Sequence, residues 1–116
     1  MNGPMTLALA EFEQKSEKAS EFLKAMSNPF RLRILCLLLG GEMSVGDLQP
    51  AVGLSQSALS QHLAKLRATD LVETRRDKQT IYYRIDHPAV KQIIQVLADF
   101  YCPGLHFPGA SSPSGD

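Results

Sequence analysis

The chain has 116 residues, 44% of them hydrophobic, and its 12 Lys/Arg balance its 12 Asp/Glu, so the formal net charge is zero. That length is one domain with a core of modest size, and the longest apolar run, residues 34–39, is far too short to cross a bilayer. Zero net charge taken alone argues against nucleic acid, but residues 55–84 hold six Lys/Arg against three Asp/Glu, a local basic segment of the kind a nucleic-acid contact leaves.

Residues 1–10 read as a flexible N-terminus, without the basic region of a secretory signal. The expected location is the cytoplasm, with reduced cysteines and no membrane contact. Residues 11–26 read as an amphipathic helix, with Phe12, Ala19, Leu23 and Met26 on one side. Ser27-Asn28-Pro29 ends it and starts another: Asn28 can cap, and Pro29 suits a first helical position. The second helix, residues 29–39, is apolar on most of its circumference and is expected at the centre, ending at Gly40-Gly41.

Ser44-Val45-Gly46-Asp47 resembles a capping box. Val45, Leu48 and Val52 give the short third helix a buried stripe, and Gly53 stops it. Ser55 caps a fourth helix over residues 56–68. Two short helices joined by a glycine-containing turn are a helix-turn-helix. Residues 71–76 and 79–85 are strand-like, with a turn at Asp77-Lys78. A final helix spans residues 88–101, with Val90, Ile93, Ile94, Leu97, Phe100 and Tyr101 as a wide apolar surface. Residues 103–116 are rich in Gly, Pro and Ser and read as a disordered tail. The domain therefore occupies residues 11–102. Its fold class is mainly α with a small β-hairpin: a winged helix-turn-helix of four helices, a hairpin and a fifth helix.

In the fourth helix, Leu59, Leu63 and Leu66 form the inward stripe, and Ser57, Gln61, Ala64 and Ala68 face the other way, with Ser60 and Lys65 at the edges. That face is small and polar enough to approach base edges in a major groove, where Gln pairs with adenine and Ser with either base. Ser55, Gln56 and Ser57 sit at the helix N-terminus, whose N–H groups favour phosphate. Arg75, Arg76 and Lys78 cluster at the hairpin tip, where a wing reaches the minor groove or its phosphates. His62, on the flank of the stripe, reads as a packing or phosphate-contacting residue.

The segments Leu23-Lys24-Ala25-Met26-Ser27-Asn28-Pro29-Phe30-Arg31-Leu32-Arg33-Ile34-Leu35, Ser44-Val45-Gly46-Asp47-Leu48, Leu54-Ser55-Gln56-Ser57-Ala58-Leu59-Ser60-Gln61-His62-Leu63 and Thr80-Ile81-Tyr82-Tyr83-Arg84 resemble the ArsR/SmtB family of winged-helix repressors. The resemblance covers residues 17–102. It implies a non-enzymatic homodimer, joined through its first and last helices, on a palindromic operator in double-stranded DNA. The half-sites would lie about 34 Å apart.

Family metal sites fit poorly. A Cys-x-Cys pair in the third helix is replaced by Ser44-Val45-Gly46, and the last helix offers only Asp86, His87, Asp99 and Cys102 at poor spacing. No metal and no cofactor is expected, and a metal-sensing repressor or a regulator with no thiol switch stays as the alternative. The two cysteines, Cys36 and Cys102, match in place those of the redox and persulfide-sensing branch typified by HlyU and BigR. By that resemblance they form a dithiol switch. A persulfide or another oxidant joins them by a disulfide or polysulfide bridge, and the reduced form binds DNA. The apolar neighbours of Cys36 raise a thiol pKa, an effect Arg33 would offset if it approached the sulfur. No Cys-x-x-Cys, phosphate loop or catalytic triad supports an enzyme.

Overall fold

The computed structural model describes residues 3–101. They form α1 (Gly3–Met26), α2 (Pro29–Leu38), β1 (Met43–Ser44), α3 (Val45–Val52), α4 (Gln56–Ala68), β2 (Glu73–Asp77), β3 (Thr80–Arg84) and α5 (Pro88–Tyr101). The winged helix-turn-helix expected from the residues is present, and Cys102 and residues 103–116 lie outside the described part.

Local chemistry sets the helix ends. Asn28 Oδ1 accepts from the N–H groups of Phe30 and Arg31 at 2.9 and 3.1 Å, so two of the orphan donors at the start of α2 are satisfied. Ser44 Oγ accepts from Asp47 N at 3.1 Å and Ser55 Oγ from Ala58 N at 3.1 Å. Gly53 ends α3 at φ 79°, a left-handed geometry that glycine adopts without strain. Gln49 Nε2 then donates to Leu54 O across the turn at 3.4 Å. At the end of α4, Leu71 N bonds Leu66 O and Asp70 N bonds Arg67 O, with Asp70 left-handed at φ 62°. That pattern is a Schellman stop, and buried Leu71 supplies its apolar contact.

α2 is central, packing against α1, α3, α4 and α5. Its Ile34, Leu35 and Leu38 are buried, together with Leu48 and Val52 of α3, Leu59, Leu63 and Leu66 of α4, and Val90, Ile94 and Ala98 of α5. Burying each of the larger side chains contributes roughly 1.5–3 kcal/mol, so this one cluster holds the helix-turn-helix at a fixed angle.

Strand and helix ends shift by one or two residues, and three larger features differ from expectation. α1 begins at Gly3 rather than Glu11, because Ala8-Leu9-Ala10 are strong helix formers and Pro4 falls in the first turn, where it is tolerated. The hairpin pairs Asp77 with Thr80, so its tip is Lys78-Gln79 instead of Asp77-Lys78, with Lys78 left-handed at φ 60°. A third strand was not expected: β1 pairs with β3, Met43 opposite Tyr83 and Ser44 opposite Tyr82, giving the sheet order β1-β3-β2. Two residues are too few to show alternation in a sequence.

α1 also divides its apolar residues. Met26 is buried with Ala25, whereas Leu9, Phe12 and Leu23 are 57%, 68% and 56% exposed. On α5, Val96, Phe100 and Tyr101 are likewise 54%, 77% and 80% exposed. Among the described residues nothing packs over these faces.

Candidate nucleic-acid interface

α4 has two chemically distinct faces. Leu59, Leu63 and Leu66 are buried to 1% or less, while Gln56, Ser57, Ser60, Gln61, Ala64, Lys65 and Ala68 are exposed. Among the described residues, the side chains of Gln56, Ser57, Ser60, Gln61 and Lys65 make no hydrogen bond or ion pair within the chain, which leaves their donors and acceptors for a partner. Ser55 differs: its hydroxyl is committed to capping α4, accepting from Ala58 N at 3.1 Å.

Beside this face lies an open groove of about 490 Å³, lined by Val45, Ser60, Leu63, Ala64, Arg67, Ala68 and Tyr83. It separates α4 from the wing. Arg67 stands in it, seven residues after Ser60 and so on the same side of the helix. Arg67 is not among the contacts expected from the sequence, and its seven-residue spacing from Ser60 is the signal that points to it.

The wing cations do not act as one cluster. Lys78 is at the tip, and Arg76 is exposed on β2. Arg75 is turned back: its Nε and Nη2 donate to Oε2 and Oε1 of Glu42 at 3.0 and 2.7 Å, and its guanidinium lies 4.6 Å from the centroid of the Tyr82 ring. The Arg75 side chain holds the Glu42 carboxyl below its ordinary range.

His62 is half-buried, and its Nδ1 lies 3.3 Å from Arg31 Nη1 while the ring packs on Phe30 at 5.8 Å. Burial first, and the Arg31 charge second, push its pKa down, so the neutral ring accepts from Arg31. Because Arg31 Nε also donates to Ala25 O at 2.6 Å, this contact ties α4 to α2 and α1.

Cys36 is half-buried on α2 and packs against the core. α5, which packs on α2, ends at Tyr101, the residue before Cys102. The Arg33 guanidinium stands 5.0 Å over the Phe30 ring. The residues weighed as metal ligands have other tasks. His87 Nδ1 accepts from Ala89 N at 3.2 Å, Asp99 accepts from Gln95 Nε2 at 2.9 Å, and Asp86 is 3.8 Å from Arg84. Among the described residues no group of three or more His, Cys, Asp and Glu is placed to hold a metal ion, and no helix is long and apolar enough to cross a membrane.

Residues 28–74, from the cap of α2 into β2, match the family described as bacterial regulatory protein, arsR family. The chain is 52% identical over 94 residues to the transcriptional activator HlyU of Vibrio cholerae serotype O1, covering 81% of this chain and 87% of HlyU. The chain belongs to the ArsR family. The solved structure of reduced HlyU from Vibrio cholerae N16961 superposes with a TM-score of 0.75 at 52% identity, covering 79% of this chain and 97% of that one. The transcriptional repressor BigR from Xylella fastidiosa gives 0.70 at 36% identity, covering 80% and 92%. This ArsR-family chain is thus a transcriptional regulator and not an enzyme. The family match and the geometry meet at the same segment: residues 28–74 contain α3, the glycine turn and α4 with its exposed polar face.

Proposed function

We propose that this regulator, in the cytoplasm, reads double-stranded operator DNA as a homodimer and is switched by thiol chemistry at Cys36 and Cys102. The observation that carries the reading is the exposed face of α4: Ser57, Ser60, Gln61 and Ala64 with no bulky apolar side chain, backed by three fully buried leucines. Such a face fits a major groove, Gln61 and the serines meeting base edges, while Gln56 at the helix N-terminus with Lys65, Arg67, Arg76 and Lys78 meets phosphates. The exposed apolar faces of α1 and α5 supply the dimer contact, and two-fold symmetry requires a palindromic operator.

The switch uses the position of Cys36 on the helix that α5 packs upon. A Cys thiolate attacks the outer sulfur of a low-molecular-weight persulfide and expels the carrier thiolate. The second Cys thiolate attacks the inner sulfur of the protein persulfide and expels hydrosulfide. The two thiols become one disulfide, and the persulfide accepts the two electrons, leaving as a thiol and hydrogen sulfide. A link between α2 and the end of α5 alters how the dimer helix seats on the core, and with it the spacing of the two α4 helices. The likeness to reduced HlyU from Vibrio cholerae supports the redox reading. Relatives named activator and repressor both occur, so the proposal concerns operator binding and its release.

Operator titration by fluorescence anisotropy tests it. Reduced protein binds; persulfide treatment weakens binding by about 5–150-fold, the range of typical allosteric couplings, and dithiothreitol restores it. Cys36→Ser and Cys102→Ser each keep their DNA on treatment. Loss of DNA by both treated variants would rule out the dithiol switch.

A further inference from the structure

The neighbouring arginines of the wing carry the same charge, but the sheet sends them apart. Side chains alternate between faces along a strand, and the register sets Arg75 opposite Tyr82 and Arg76 opposite Ile81. Ser44 is also opposite Tyr82, so Ser44, Tyr82 and Arg75 form one row across β1, β3 and β2. The adjacent row is Met43, Tyr83 and Thr74. Met43 and Tyr83 pack against the core, and Tyr83 lines the groove beside α4. Arg76, two residues from Thr74, belongs to that groove-side face. Arg75 belongs to the outer one.

On the outer face Arg75 runs over the Tyr82 ring at 4.6 Å and crosses β3 to Glu42, the residue before β1. Both carboxylate oxygens are engaged, at 3.0 and 2.7 Å. An isolated exposed ion pair is worth little, but a bidentate one is geometrically restrictive, and planar stacking on an aromatic ring restricts it further. The same three side chains fasten β2, β3 and the approach to α3. Charge neutralised in this way has little counterion release to offer at a phosphate.

We propose that Glu42 and Arg75, stacked on Tyr82, form a clamp that fixes the angle of the wing to the helix-turn-helix, and that Arg75 is a positioning residue rather than a DNA contact. Arg76 and Lys78 then carry the wing's phosphate contacts. The inference rests on the DNA-reading proposal above. The competing role for Glu42 is a phosphate stand-in, which yields Arg75 to the DNA on binding.

The sign of one substitution separates the two. Operator affinity is measured against salt for the wild type, Glu42→Gln, Arg75→Gln and Arg76→Gln. With a clamp, Glu42→Gln and Arg75→Gln each weaken binding by about five-fold and leave the salt slope unchanged, whereas Arg76→Gln flattens it by about 0.9. If Glu42→Gln strengthens binding and steepens the slope, or Arg75→Gln flattens it, Arg75 touches phosphate and the clamp is overturned. Amide hydrogen exchange across β2 and β3 reads the clamp without DNA: exchange speeds up in Glu42→Gln and Arg75→Gln but not in Arg76→Gln, and unchanged exchange in the first two overturns it. A wild type that binds no DNA at any salt concentration defeats the DNA-reading proposal, while the exchange result still decides the clamp.

Discussion

α4 and α5 are built alike on the inside and oppositely on the outside. Each buries a stripe, Leu59, Leu63 and Leu66 in one and Val90, Ile94 and Ala98 in the other. Their outward faces differ: α4 shows Ser57, Ser60, Gln61 and Ala64, and α5 shows Ile93, Val96 and Phe100. Apolar area left in water forgoes roughly 25 cal/mol per Å² of burial, so covering the outer face of α5 together with Leu9, Phe12 and Leu23 of α1 would add stability. α4 gains little from apolar burial, so its partner must be polar and must come close. The helices share packing logic, and it is their outward residues that suit one to the proposed dimer contact and the other to the proposed DNA contact.

The largest effect comes from making the outside of α5 resemble that of α4. Val96→Glu with Phe100→Glu places charge on the proposed dimer face, where an uncompensated buried charge is costly. Sedimentation should show a monomer with its core melting retained, and operator affinity should fall on the order of 100-fold, since two half-sites no longer bind as one unit. A variant that stays dimeric would remove α5 from the interface.

The reverse exchange is smaller. Ala64→Leu gives α4 an apolar bulge at the centre of its exposed face, away from the core stripe. Thermal stability should nearly hold, because Ala64 is exposed and leucine is second only to alanine as a helix former, while operator affinity falls by about ten-fold, on the order of a lost base-edge contact. Full affinity in Ala64→Leu would place the DNA elsewhere.

That comparison was readable in the sequence because it depends on periodicity. Leucines at 59, 63 and 66 repeat at helical spacing, and the caps Asn28, Ser44 and Ser55 and the stop at Gly53 announce their helices through chemistry confined to a few residues. The misses are the features that only folding brings together. Glu42 and Arg75 are 33 residues apart, so a cation assigned to the wing tip turned out to be engaged on the outer face of the sheet. β1 exists because β3 is beside it, and its two residues carry no pattern of their own. Arg67 entered the groove only once the wing closed the other side. His62 was placed correctly on the flank of the stripe, but its partner Arg31, 31 residues earlier, was not foreseen.

The His62 contact gives the smallest expected effect and refines the comparison, because it is a polar link on the inner flank of α4 where α5 has an apolar one. Its ring is neutral when it accepts from Arg31, and burial and Arg31 together keep the folded pKa below the ordinary value of 6.5. The unfolded chain therefore takes up the proton first as pH falls, so the folded state loses stability from about pH 6.5 downward until the depressed pKa is passed, and nothing is lost above that window. Thermal melting measured from about pH 7.5 to about pH 5.5 should fall more steeply for the wild type than for His62→Gln, whose amide has no proton to gain across that range. Parallel slopes would assign the acid sensitivity to other groups and reduce the Arg31–His62 contact to packing alone. A difference would show that folding holds the His62 ring neutral, through burial first and the Arg31 charge second, so that acid weakens the inner flank of α4 while its outer face is chemically unchanged.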